Sequence, residues 1–112
     1  MPEELAEKKC VPCEGGVPKL TPEEVRGHLT SLPHWRVSDD NLWLERKFDL
    51  KNFAAALGLL NRIGELAEAE QHHPDLHLTG YRHLSVRITT HAIGGLSEND
   101  VILAAKIDRL PQ

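Results

Sequence analysis

The spacing of apolar residues changes period twice along this chain. Leu42, Leu44, Phe48 and Leu50 fall on every second position, with Arg46 interrupting the series. From Phe53 the steps become three and four, through Leu57, Leu60, Gly64 and Ala67, with Leu59, Ile63 and Leu66 widening the stripe. Alternation then returns at Leu84, Val86 and Ile88, between His83, Ser85, Arg87 and Thr89. Side chains repeat every two residues on a strand and every 3.6 on a helix, so the pattern demands strand, long helix, strand. Ser38-Asp39-Asp40-Asn41 is turn chemistry between two short alternating runs, which makes the first strand region a hairpin with Trp43, Glu45 and Lys47 on its polar face. Pro74 disfavours helical geometry in the residue before it, so the helix should end at about Gln71. A second hairpin follows, with its turn near Arg82.

The flanks are helical. Thr21, Pro22 and Glu24 form a capping-box sequence, and Val25, Leu29 and Leu32 give one apolar face before Pro33 stops the helix. Ser97 and Asp100 mark a second box, followed by Val101, Leu103, Ala104, Ile107 and Leu110. The expected order is αββαββα, an α+β fold of two layers: a four-stranded antiparallel sheet with helices on one face. Residues 21–112 form a single domain, and residues 1–20, punctuated by Pro12, Gly15, Gly16 and Pro18, read as a flexible N-terminal arm. Cys10 and Cys13 in that arm supply half the ligands of a structural zinc site and read as an incidental pair. A net charge of −4 gives no basic surface for nucleic acid. No apolar run reaches membrane-spanning length and no secretory leader is visible, so the expected location is the cytoplasm.

Five of the seven histidines lie between Glu70 and His91. Counting outward from a turn at Arg82 places Pro74 opposite Thr90, and His73 near His91. Neighbouring strands are about 4.8 Å apart, so a slip of one or two residues would not separate them. His72, His73 and His91 are therefore expected at one end of the sheet. The carbonyl end of a helix favours a protonated imidazole, and Glu68, four residues before His72, acts in the same direction. An acid beside a base suits a dehydration, in which hydroxide leaves as water while a neighbouring atom loses a proton. Zinc is the competing reading, although the adjacent His72 and His73 tend to diverge. His28, His34, His77 and His83 read as structural or solvated, and Asp100 is also explained by its capping position.

The segment Glu68-Ala-Glu-Gln-His-His-Pro74, followed by Tyr81, Thr90-His91 and the run Gly95-Leu-Ser-Glu-Asn-Asp100, resembles the signature of the pterin-4a-carbinolamine dehydratases. The similarity runs from about Leu20 to Ile107. Leu76 stands where an aromatic residue is common in that family, and the stretch between Pro74 and Tyr81 is one residue longer than in animal members. The resemblance implies a dehydratase that converts 4a-hydroxytetrahydropterin to quinonoid dihydropterin in tetrahydrobiopterin-type cofactor recycling. It implies catalysis by His72, His73 and His91, a substrate lining that includes Gln71, Thr89, Thr90 and Ala92, and support from Glu68 and Asp100. No metal and no separate cofactor are implied, since the pterin is the substrate. It further implies a homodimer or homotetramer. The alternative it leaves open is a non-enzymatic protein-binding module, of the transcriptional-coactivator or carboxylase-assembly type.

Overall fold

In the computed structural model, which describes residues 2–8, 10 and 18–112, the changes of period appear as changes of element. Helix α1 spans Pro2–Glu7 and α2 spans Pro22–Leu29. Strands β1 (Arg36–Val37) and β2 (Leu44–Asp49) precede helix α3 (Phe53–Glu70). Strands β3 (Asp75–Thr79) and β4 (His83–Ile88) lead through a 3-10 turn (His91–Ile93) to α4 (Glu98–Asp108). The strands form one antiparallel sheet in the order β1-β2-β4-β3. The fold is α+β, as the periodicity requires.

The alternating residues divide the sheet into a dry face and a wet face. Leu44, Phe48, Leu84, Val86 and Ile88 are buried beneath Ala56, Leu59, Ile63 and Ala67 of α3 and Val101, Leu103, Ala104 and Ile107 of α4. Arg46 sits on the dry face because its neighbours accommodate its charge. Its guanidinium lies 4.0 Å from the Phe48 ring centroid, and its Nη1 donates to Asp108 Oδ1 at 2.5 Å. Trp35 Nε1 donates to the same oxygen at 2.8 Å. Asp108 closes α4, where the helix dipole disfavours an anion, and these two donors offset that effect.

The N-terminal segment departs from the expected flexible arm. Pro2–Glu7 is helical and packs on α4, with Leu5 and Ala6 buried. Lys106 Nζ donates to the Ala6 carbonyl at 2.7 Å, and Cys10 N–H donates to Glu70 Oε1 at 2.9 Å. The cause lies in α4, where Asn99, Asp100, Val101, Ile102, Leu103, Ala104 and Ala105 are all buried, so its circumference needs cover beyond the sheet. With Leu5 and Ala6 as the buried apolar residues among its described side chains, the stripe is too short to register as periodicity. Cys13 lies outside the described residues.

Turn geometry also moves the register. Thr79 pairs with His83 and Asp75 with Arg87, which centres the second hairpin on Tyr81 rather than Arg82. Gly80 and Tyr81 both take positive φ, 52° and 55°, and complete the reversal one residue early.

Leu84 has no exposed surface, whereas Leu57 on the outer side of α3 is 40% exposed. Leu84→Ala is expected to lower unfolding free energy in urea by about 2–5 kcal/mol, and Leu57→Ala by less than about 1 kcal/mol.

Candidate active site

The site begins where α3 ends. Gln71 adopts left-handed geometry at φ 54° and ψ 37°. His72 N–H donates to the Ala67 carbonyl and Gln71 N–H to the Glu68 carbonyl, each at 3.2 Å. This is a Schellman ending with glutamine in the position glycine normally holds. The reversal sends two consecutive imidazoles to different surroundings. His72 turns inward and is 5% exposed, while the side chain of His73 is 63% exposed.

Inside, His72 meets Asp100, which is completely buried. The His72 Nε2 to Asp100 Oδ1 distance is 2.6 Å. Asp100 Oδ2 accepts from Thr90 Oγ1 and from Ser97 N–H, both at 2.8 Å. The Thr90 and Ser97 hydroxyls lie 2.8 Å apart. When Asp100 is ionised it can only accept, and the hydrogen of the short bond then belongs to Nε2 of His72. One carboxylate thereby fixes the ring, the end of β4 and the start of α4.

Beyond β4 the chain makes a short excursion closed by a Thr90–Gly95 bridge, with Thr90 N–H donating to the Gly95 carbonyl at 3.0 Å. His91 and Ala92 are exposed on it. The His91 ring stands edge-on to Trp43, with centroids 5.8 Å apart. Trp43 is held by the first hairpin turn, where its N–H donates to Ser38 Oγ at 3.0 Å. Asp40 in the same turn accepts from the Ser38 hydroxyl and the Leu42 N–H, and these bonds hold its carboxyl below the ordinary carboxylate range. The Thr89 hydroxyl donates to the Leu42 carbonyl, tying this turn to the end of β4.

The antiparallel register puts the residues before β3 and those after β4 at the same end of the sheet, so His72, His73 and His91 are placed there. Their partners differ. His72 is joined to Asp100, His73 Nε2 lies 2.8 Å from Glu68 Oε1, and His91 contacts Trp43. Glu68 was expected to serve His72; the left-handed residue at Gln71 breaks the helix before position 72, so the carboxylate meets the next imidazole instead. Gln71 is exposed, whereas Thr89 and Thr90 are buried with their hydroxyls bonded within the protein. Among the described residues no group of three or more His, Cys, Asp or Glu converges as metal ligands would. Sequence reasoning missed Trp43 as a neighbour of the histidines. Its signal was a large aromatic on the polar face of a strand.

Comparison with known proteins bears on this arrangement. The family model described as pterin 4 alpha carbinolamine dehydratase matches residues 18–110. This chain belongs to that family. A Rubrobacter xylanophilus protein named for the same dehydratase is 50% identical over 107 residues, covering 96% of this chain and 98% of its own length. Among solved structures, a transcriptional coactivator/pterin dehydratase from Brucella melitensis superposes with TM-score 0.76 at 30% identity, over 81% of this chain and 96% of that one. A pterin dehydratase-like protein described as a RuBisCO assembly factor in the alpha-carboxysome shares the fold, with TM-score 0.55 at 21% identity over 66% of this chain and 84% of that one.

Removing the central carboxylate breaks three buried hydrogen bonds at once, those from His72, Thr90 and Ser97. Asp100→Ala is therefore expected to lower stability by at least about 2 kcal/mol in urea unfolding. Asp100→Asn retains one acceptor oxygen and should cost less, while turning an amide toward His72.

Proposed function

We propose that this protein is a dehydratase removing water from 4a-hydroxytetrahydropterin to give quinonoid dihydropterin, in the recycling of a tetrahydrobiopterin-type cofactor. The observation that carries the reading is the pinned His72–Asp100 pair at the sheet end that also bears His91. The family's activity and the relatives named for it support the same reaction.

In this scheme His72 is the acid. Asp100 fixes its ring orientation and supplies a counter-charge when the ring carries a proton. The proton passes to the 4a-hydroxyl, and the C4a–O bond breaks with its electron pair leaving on water. His91 takes the proton from N5, and the N–H electron pair becomes the N5=C4a double bond. Acid and base each gain or lose one proton, so the reaction balances with no further reactant. His73, paired with Glu68 at the rim, exchanges protons with solvent to reset the site. Gln71 and Ala92 line the substrate from the exposed side, and the buried Thr89 and Thr90 fix the chain behind it through their internal hydrogen bonds. The pterin is the substrate, with no separate cofactor in the scheme. We further propose a cytoplasmic homodimer or homotetramer, since β3 lies at a sheet edge with unpaired backbone groups.

A second reading, a protein-binding module, is favoured by the exposed Phe53 and Leu57 on α3. Solved relatives titled as a coactivator and as an assembly factor give it context. Such a module would keep its function without the histidines.

The deciding assay mixes chemically generated 4a-hydroxytetrahydropterin with the protein and follows ultraviolet absorbance. Wild type should accelerate dehydration, and His72→Ala and His91→Ala should each lose about 100-fold or more in kcat. A wild-type rate equal to that of buffer would end the enzymatic reading. Gln71→Gly relieves left-handed strain, so its stability should be unchanged or higher by up to about 1 kcal/mol. The same change removes a lining side chain and should raise KM.

A further inference from the structure

The wet face of the sheet carries a second feature that the dehydration scheme does not use. A cavity of about 570 Å³ opens between the Pro33–Arg36 segment and strands β2 and β4, with Arg36, Glu45, Lys47, Ser85 and Arg87 on its walls. Four cations, Arg36, Arg46, Lys47 and Arg87, line it with the single carboxylate of Glu45, and of these Arg46 is already paired with Asp108, although the whole chain carries a net charge of −4. Glu45 is shared between two of them: Arg87 Nε donates to its Oε2 at 2.7 Å, and Arg36 Nη2 lies 3.1 Å from its Oε1. One anion thus holds two guanidinium groups, and the local excess of positive charge remains. Lys47 adds an exposed ammonium and Ser85 a hydroxyl one strand away, in direct register with it.

The cavity is connected to the histidine site through a stack. The Arg87 guanidinium lies 4.4 Å from the Trp43 ring centroid, and the same ring meets the edge of His91 at 5.8 Å. A flat heterocycle placed against His91 and Trp43 would therefore carry a substituent across the indole toward Arg87, Lys47 and Ser85.

We propose that this cavity is a subsite for an anionic side chain on the pterin, so that the protein prefers pterins whose substituent ends in a phosphate or carboxylate over neutral ones. The inference rests on the pterin reading above and specifies the substrate class. Arg87 offers a planar donor set, and Arg36 and Lys47 supply charge that is screened by salt.

The test is a fluorescence titration with oxidised pterins, which requires no turnover. A pterin with a neutral trihydroxypropyl side chain is compared with the same molecule bearing a terminal phosphate, and with a pterin whose side chain ends in carboxylates. At low salt the phosphorylated form is expected to bind about tenfold or more tighter than the neutral one, and the advantage should shrink at high salt. A comparable gain for the carboxylated form would assign the subsite to anions generally, and its absence would assign it to phosphate. Lys47→Gln and Arg36→Gln, neither of which touches Trp43 or His91, should each reduce the advantage while leaving the affinity of the neutral pterin unchanged. Equal affinities for neutral and anionic pterins, or an advantage that survives both substitutions, would overturn the proposal. Dehydration with equal affinities would retain the enzyme and remove the subsite; anion preference without dehydration would do the reverse. Failure of every pterin to bind would remove both.

Discussion

A carboxylate without solvent contact is stable only when its oxygens are fully engaged, and the fold is organised around meeting that demand for Asp100. Its partners come from three places in the chain: His72 after α3, Thr90 after β4 and Ser97 before α4. Each bond fixes an otherwise irregular segment, since none of these residues lies within a strand. The carboxylate is therefore a structural junction as well as the partner of an imidazole. Loss of any one donor would leave the others correctly placed but weaken the junction, because desolvation of the anion is not divisible among them.

Much of this was legible in the residues. The stripe from Phe53 to Ala67 specifies α3 by period alone, and Thr21 with Glu24 forms the reciprocal pair expected of a capping box. Convergence of the histidine-bearing segments on one sheet end followed from antiparallel pairing. What was not legible depended on backbone conformations that side-chain identity disfavours. Neither Gln71 nor Tyr81 signals positive φ, yet the first redirects His72 away from Glu68 and the second shifts the hairpin register. Helix α1 was hidden for another reason: among its described side chains only Leu5 and Ala6 are buried, and the need for it arises from the far side of α4.

Polar groups on the wrong face are likewise explained by partners distant in sequence. Arg46 reads as an interruption of an apolar series, but its partner Asp108 is 62 residues away. The two together solve a problem neither could solve alone, a cation on the dry face and an anion at the negative end of a helix. A similar economy appears on the wet face, where Glu45 holds Arg36 and Arg87 at once and keeps the latter over the Trp43 ring.

The Thr89 hydroxyl bond to the Leu42 carbonyl changes the status of the first hairpin turn. Surface turns ordinarily tolerate insertions and deletions, because their ends are fixed and their middles are free. Here the middle is anchored: the turn measures out the chain so that Leu42 reaches β4 and Trp43 reaches His91. Its length is consequently a gauge for the distance between two hairpins, and a single added residue would be transmitted to the imidazole instead of being absorbed as slack.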